Sequence, residues 1–100
     1  MAYYHIMIGL RGCYMPDSAY TIQCDTRREL RKSIDYEANN AREGGAIGLS
    51  KRNVSWAAAH AWRKSGAILP YSIERGAHPA FSIEISRATR SEYLANKELD

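Results

Sequence analysis

The chain has 100 residues, 45% of them hydrophobic and 25% charged, with a net charge of +3. That length matches one domain, residues 1–100, able to bury a core without metal or disulfide help. No apolar run reaches the length of a membrane span. The opening MAYYHIMIGL lacks a basic start and a small-residue cleavage site, so a cytoplasmic protein is expected.

In AYYHIMIGL, Tyr4, Ile6, Ile8 and Leu10 alternate with Tyr3, His5 and Met7, which predicts a strand with a core face and a polar face. RGCYMPDS supplies the breakers Gly12, Pro16, Asp17 and Ser18. AYTIQCD alternates again, with Tyr20, Ile22 and Cys24 toward the core, so the two strands form an antiparallel hairpin. Cys13 and Cys24 make no C-x-x-C and read as reduced thiols, with a cross-strand bridge open only to an oxidising compartment.

Thr26-Arg27-Arg28-Glu29 is a capping box, and Leu30, Ile34, Ala38 and Ala41 follow at helical spacing until Gly44-Gly45 stops the helix. Ile47 and Leu49 of the linker are expected to tuck under the helices. Ser50 is the N-cap of a second helix that runs to about Ser65 and stops at Gly66. Leu69, Tyr71 and Ile73 alternate in a third strand, where Pro70 marks an edge or a strand start. RGAHPA turns the chain, and Phe81, Ile83 and Ile85 mark a fourth strand. Thr89-Arg90-Ser91-Glu92 is a second capping box that opens a short helix, with Tyr93 and Leu94 as its apolar side.

The expected fold is α+β: a four-stranded, mostly antiparallel sheet of two hairpins, two longer helices on one face, and a short C-terminal helix. The pattern does not specify strand order. A dimer in which each hairpin serves a different chain stays open, as does a monomer.

No catalytic constellation assembles. His5, His60 and His78 are scattered, no histidine falls in a metal-ligand spacing, and no phosphate loop occurs. The expectation is a non-enzymatic protein with no metal and no cofactor. A pocket uniting His5 or His78 with a carboxylate would revive an enzyme reading, which otherwise ranks third.

Binding residues are better marked. From Arg27 to Arg90 there are twelve Lys/Arg against six Asp/Glu, so the middle of the chain favours an acidic partner. On the first helix Arg28, Arg31, Lys32 and Arg42 share one side, interrupted by Asp35. On the second, Val54, Ala57, Ala58, Ala61 and Trp62 fall on one arc, with Trp56, Ala59, His60 and Arg63 opposite. One tryptophan is therefore expected in the core and the other, Trp56, at an interface. Lys51, Arg52, Arg63 and Lys64 flank it near the helix ends. The candidate partner-binding residues are Trp56, His60, Arg63, Lys64, Arg28, Arg31 and Lys32. The sheet is a poorer nucleic-acid platform, because Glu74 and Glu84 join Tyr3 and His5 on its polar side.

GGAIGLSKRNVSWAAAHAWRKS followed by SRATRSEYL, about residues 44–95, resembles small proteins encoded by phages and prophages of Gram-negative bacteria. The resemblance implies an inhibitor of the anti-CRISPR type, acting in the cytoplasm of an infected host by stoichiometric binding. Its partner would be a host protein or ribonucleoprotein complex, such as a CRISPR effector or its nuclease. Many anti-CRISPR proteins are acidic, whereas this chain is basic in its middle. The alternative is a small basic regulatory protein that binds nucleic acid through the same helices.

Overall fold

The computed structural model describes residues 1–11, 15–75 and 79–99. Seven elements follow in order: β1 (Ala2–Leu10), β2 (Ser18–Cys24), α1 (Arg27–Glu43), α2 (Lys51–Lys64), β3 (Gly66–Tyr71), β4 (Phe81–Ala88) and α3 (Arg90–Leu99). The fold is α+β, and the two hairpins join along β1 and β4 into one antiparallel sheet of order β2-β1-β4-β3.

The alternating strand pattern sorts side chains between two faces. Tyr4, Ile6, Ile83, Ile85, Leu69 and Tyr71 are buried, on the face that packs against Leu30, Ile34 and Ala38 of α1 and Val54, Ala57, Ala58 and Ala61 of α2. The small alanines let α2 lie close to the sheet, and Trp62 fills the remaining gap, its ring stacked 6.2 Å from that of Tyr4. Burying side chains such as Ile34 or Leu30 stabilises the fold by about 1.5–3 kcal/mol each.

Local signals act where the sequence places them. Thr26 Oγ1 accepts from the Glu29 amide (3.3 Å), and the Glu29 carboxylate accepts from the Asp25 amide (3.2 Å). Ser50 Oγ accepts from the Asn53 amide (3.1 Å). Thr89 and Glu92 cap each other reciprocally, each bond 3.1 Å. Gly9 has φ +153°, and a Cβ there would stand 2.8 Å from the Asp17 amide nitrogen, so the chain leaving β1 requires glycine.

Several details differ from the sequence expectation. α2 ends on Ser65, which itself takes the left-handed conformation (φ 69°), and Gly66 already belongs to β3. Leu49 is buried, but Ile47 is exposed and pairs with Ser72 through both backbone bonds, 2.6 and 3.1 Å. Leu10 and Ile73 are exposed because they lie at and beyond strand ends, outside the helix-covered area. Glu74 also lies past the end of β3, so of the two carboxylates only Glu84 sits within the sheet. The turn residues Gly12, Cys13, Gly76 and His78 lie outside the described residues.

α3 packs on the face opposite α1 and α2. Tyr93 meets Tyr3 with ring centroids 5.1 Å apart, and Glu92 Oε2 is 2.7 Å from His5 Nε2. Leu94 is exposed, so of the expected apolar pair only Tyr93 packs against the sheet. The sheet's second face is therefore partly covered over β1 and β2, where its aromatic and histidine side chains are already engaged.

Candidate functional site

The helical wheel of α2 turns Arg52, Trp56, Ala59 and Arg63 outward, directly away from its buried Val54–Ala57–Ala58–Ala61 stripe. Trp56 is 52% exposed, because α3 lies across the sheet and β3 runs beside α2 rather than over it. Its ring stacks on His60 at 4.9 Å between centroids, with 28° between planes. His60 is half-buried, and its Nδ1 lies 2.9 Å from the Gly66 carbonyl oxygen, so Nδ1 carries the proton and donates. The histidine thus holds the tryptophan in one orientation, and Arg52 and Arg63 supply cations before and after it along the helix. Lys64 is exposed at the helix C-terminus, where the helix dipole favours a cation.

The basic residues of α1 divide. Arg28 and Arg31, together with Arg27, line a groove of about 400 Å³ between α1 and α2, closed by Thr26, Ser55 and Ala58. Arg31 also approaches Asp35 at 3.8 Å. Lys32 turns into a different groove, with Tyr20, Ser33, Tyr36 and Glu37. Arg42 is not available to a ligand: its Nε donates to the Leu49 carbonyl (2.5 Å) and its Nη1 to Asn39. Arg27, Arg52 and Ser55, none of them among the seven candidate partner-binding residues, complete these surfaces. Arg27 sits in the first turn of α1, where the helix dipole disfavours a cation, a placement that itself hints at use, and Ser55 becomes relevant only once α2 packs beside α1.

His5 does meet a carboxylate. Both partners are engaged, however: the second oxygen of Glu92 accepts from the Thr89 amide (3.1 Å), and the pair ties α3 to β1. The Glu92 carboxyl is held below its ordinary value of 4.5, mainly by the hydrogen bond from His5 and next by the Thr89 amide. Cys24 is a free, buried thiol whose pKa burial pushes up to about 11, with the nearby Glu29 and Asp25 adding to the shift. Among the described residues no group of three His, Cys, Asp or Glu side chains could hold a metal ion. No helix of the described residues is long and apolar enough to cross a membrane.

In comparisons with protein families, with curated proteins and with solved structures, no match to this chain was found.

Proposed function

We propose that this protein is a non-catalytic binding module, an inhibitor that docks on a host protein or ribonucleoprotein complex through the outward side of α2. Trp56, steadied by His60 and flanked by Arg52 and Arg63, is the anchor, with Lys64 at the rim. The observation that carries this reading is the 52% exposure of a tryptophan already stacked in one orientation. Little side-chain entropy is then lost when a partner covers it, and tryptophan and arginine are the residue types that most often dominate interfaces. The resemblance to anti-CRISPR-type phage proteins makes a bacterial defence complex the first partner to test.

The experiment is capture of partners from bacterial lysate with tagged protein, with and without nuclease, comparing wild type with Trp56→Ala and Arg63→Glu. A protein complex that survives nuclease and is lost with either substitution, while circular dichroism stays unchanged, supports the proposal. Retention by both variants overturns it.

The arginine groove favours a second reading, a nucleic-acid-binding regulator. Arg27, Arg28 and Arg31 share one cleft with the N-terminus of α1, so phosphate oxygens would meet three guanidinium groups and a favourable dipole. Three such contacts predict a log–log salt slope of about −3 on duplex DNA. A Trp56-centred protein interface gives a shallower dependence.

A further inference from the structure

The two free edges of the sheet are treated differently. At the β1–β4 junction the Arg11 amide donates to the Ala80 carbonyl, and at the β3–β4 junction the Arg87 amide donates to the Ser65 carbonyl, each 2.7 Å. In an antiparallel ladder, hydrogen-bonded and non-bonded pairs alternate. Applied to the observed registers, this directs the odd-numbered residues of β1 toward β4 and the even-numbered ones toward β2. It leaves Gly66, Ile68 and Pro70 of β3, and Ala19, Thr21 and Gln23 of β2, facing outward.

On β3 that outward row is blunted. His60 occupies the Gly66 carbonyl, Pro70 has no amide hydrogen to offer, and Ile47 pairs with Ser72 just past the strand. β2 carries none of these devices. SAYTIQC has no proline and no charge, and Ala19 and Gln23 are exposed. A groove flanks the strand on each face. On the α3 side, one of about 200 Å³ is lined by Tyr20, Thr21, Tyr93, Asn96 and Lys97. On the α1 side, one of about 470 Å³ is lined by Tyr20, Lys32, Ser33, Tyr36 and Glu37. Among the described residues, Thr21 Oγ1 is buried with no hydrogen-bond partner.

We infer that the free edge of β2 is a docking site for an extended segment of a partner protein, which adds to the sheet as a fifth, antiparallel strand. Backbone bonds to Ala19, Thr21 and Gln23 hold it, and its alternate side chains enter the two grooves. The chemistry of the grooves sets its pattern. Residues opposite Tyr20 and Ile22 share the α1 face, where Tyr20 borders the exposed Tyr36 ring, and are apolar. The residue opposite Thr21 lies on the Lys97 side and is a carboxylate. Asp17 and Asp25 bracket the strand, so residues beyond its ends are cationic. A second copy of the chain fits less well, because in the register that pairs the whole of β2, Asp17 faces Asp25 of the other copy at both ends. This inference does not rest on the reading of Trp56, which lies on the outward side of α2.

The test uses the fluorescein-labelled peptide KVTVEVTVK, titrated into the full chain and followed by anisotropy. N-methylation at the fifth position removes an amide aimed at Thr21 and is expected to weaken binding at least about tenfold. N-methylation at the fourth, aimed at solvent, leaves it within about threefold. Lys97→Glu reverses the preference between central glutamate and central lysine without touching the backbone bonds. Amide shifts of the protein are expected to concentrate in Ser18–Cys24 and not in Gly66–Tyr71. The inference is overturned by equal effects of the two N-methylations, by shifts centred on β3, or by no binding at about 1 mM peptide. It is also overturned by a concentration-dependent dimer that protects the Thr21 amide without peptide.

Discussion

Trp56 stacks on His60, and His60 is itself tied to the carbonyl of Gly66 at 2.9 Å, so one imidazole both orients an exposed indole and caps the first outward carbonyl of an edge strand. The link couples the candidate interface of α2 to the start of β3. His60→Ala removes the stack and the hydrogen bond together. The expected cost is about 1 kcal/mol of stability, read from the urea midpoint, with a weaker partner complex even where folding is complete.

The two tryptophans should behave oppositely. Trp56 is 52% exposed, whereas Trp62 is packed against the core beside Tyr4. Acrylamide quenching is expected to resolve an accessible and a protected component, and Trp56→Phe is expected to remove the accessible one. Trp56→Ala changes stability by no more than about 0.5 kcal/mol, as surface substitutions do. If Trp56 anchors the partner, the same substitution weakens the complex about 30-fold, equivalent to about 2 kcal/mol.

Ile34 is fully buried between α1 and the sheet. Ile34→Ala leaves a cavity and is expected to cost about 2–5 kcal/mol, measured by chemical denaturation. Contrasted with Trp56→Ala, it separates loss of fold from loss of binding.

In a Cys13→Ser background, the Cys24 thiol is expected to resist a disulfide reagent at neutral pH until the protein unfolds. Its pKa is raised from 9.0 to about 11 by burial, so the folded chain keeps the proton longer than the unfolded chain does. The corresponding stability is present below pH 9.0 and declines as pH rises from 9.0 toward 11. Thiol labelling against urea, repeated across that range, checks both statements.

The His5–Glu92 pair makes the seat of α3 sensitive to acid. The folded Glu92 pKa lies below 4.5, so its contribution is present above that pH and is lost as pH falls through the folded value. Proton NMR contacts between the Tyr3 and Tyr93 rings are expected to weaken in that acidic window. In Glu92→Gln the acid-side dependence disappears.

Local features are the ones legible in the amino-acid sequence. The two hairpins, the Thr26 and Thr89 capping boxes, the Ser50 N-cap and the opposition of Trp56 to Trp62 follow from side-chain periodicity and from bonds between residues three or four apart. Tertiary packing sets how the hairpins join through β1 and β4, and places α3 on the far face of the sheet, leaving Trp56 exposed. It alone divided the basic residues of α1, spending Arg42 on the Leu49 carbonyl and sending Lys32 to a different groove from Arg28 and Arg31. It alone separated Ile47 from Leu49, two residues apart and equally apolar, by pairing one with Ser72 and burying the other. One cause underlies all of these. Periodicity specifies which face of an element is apolar, but which element covers that face depends on contacts between residues far apart in the chain, and a local pattern does not encode them.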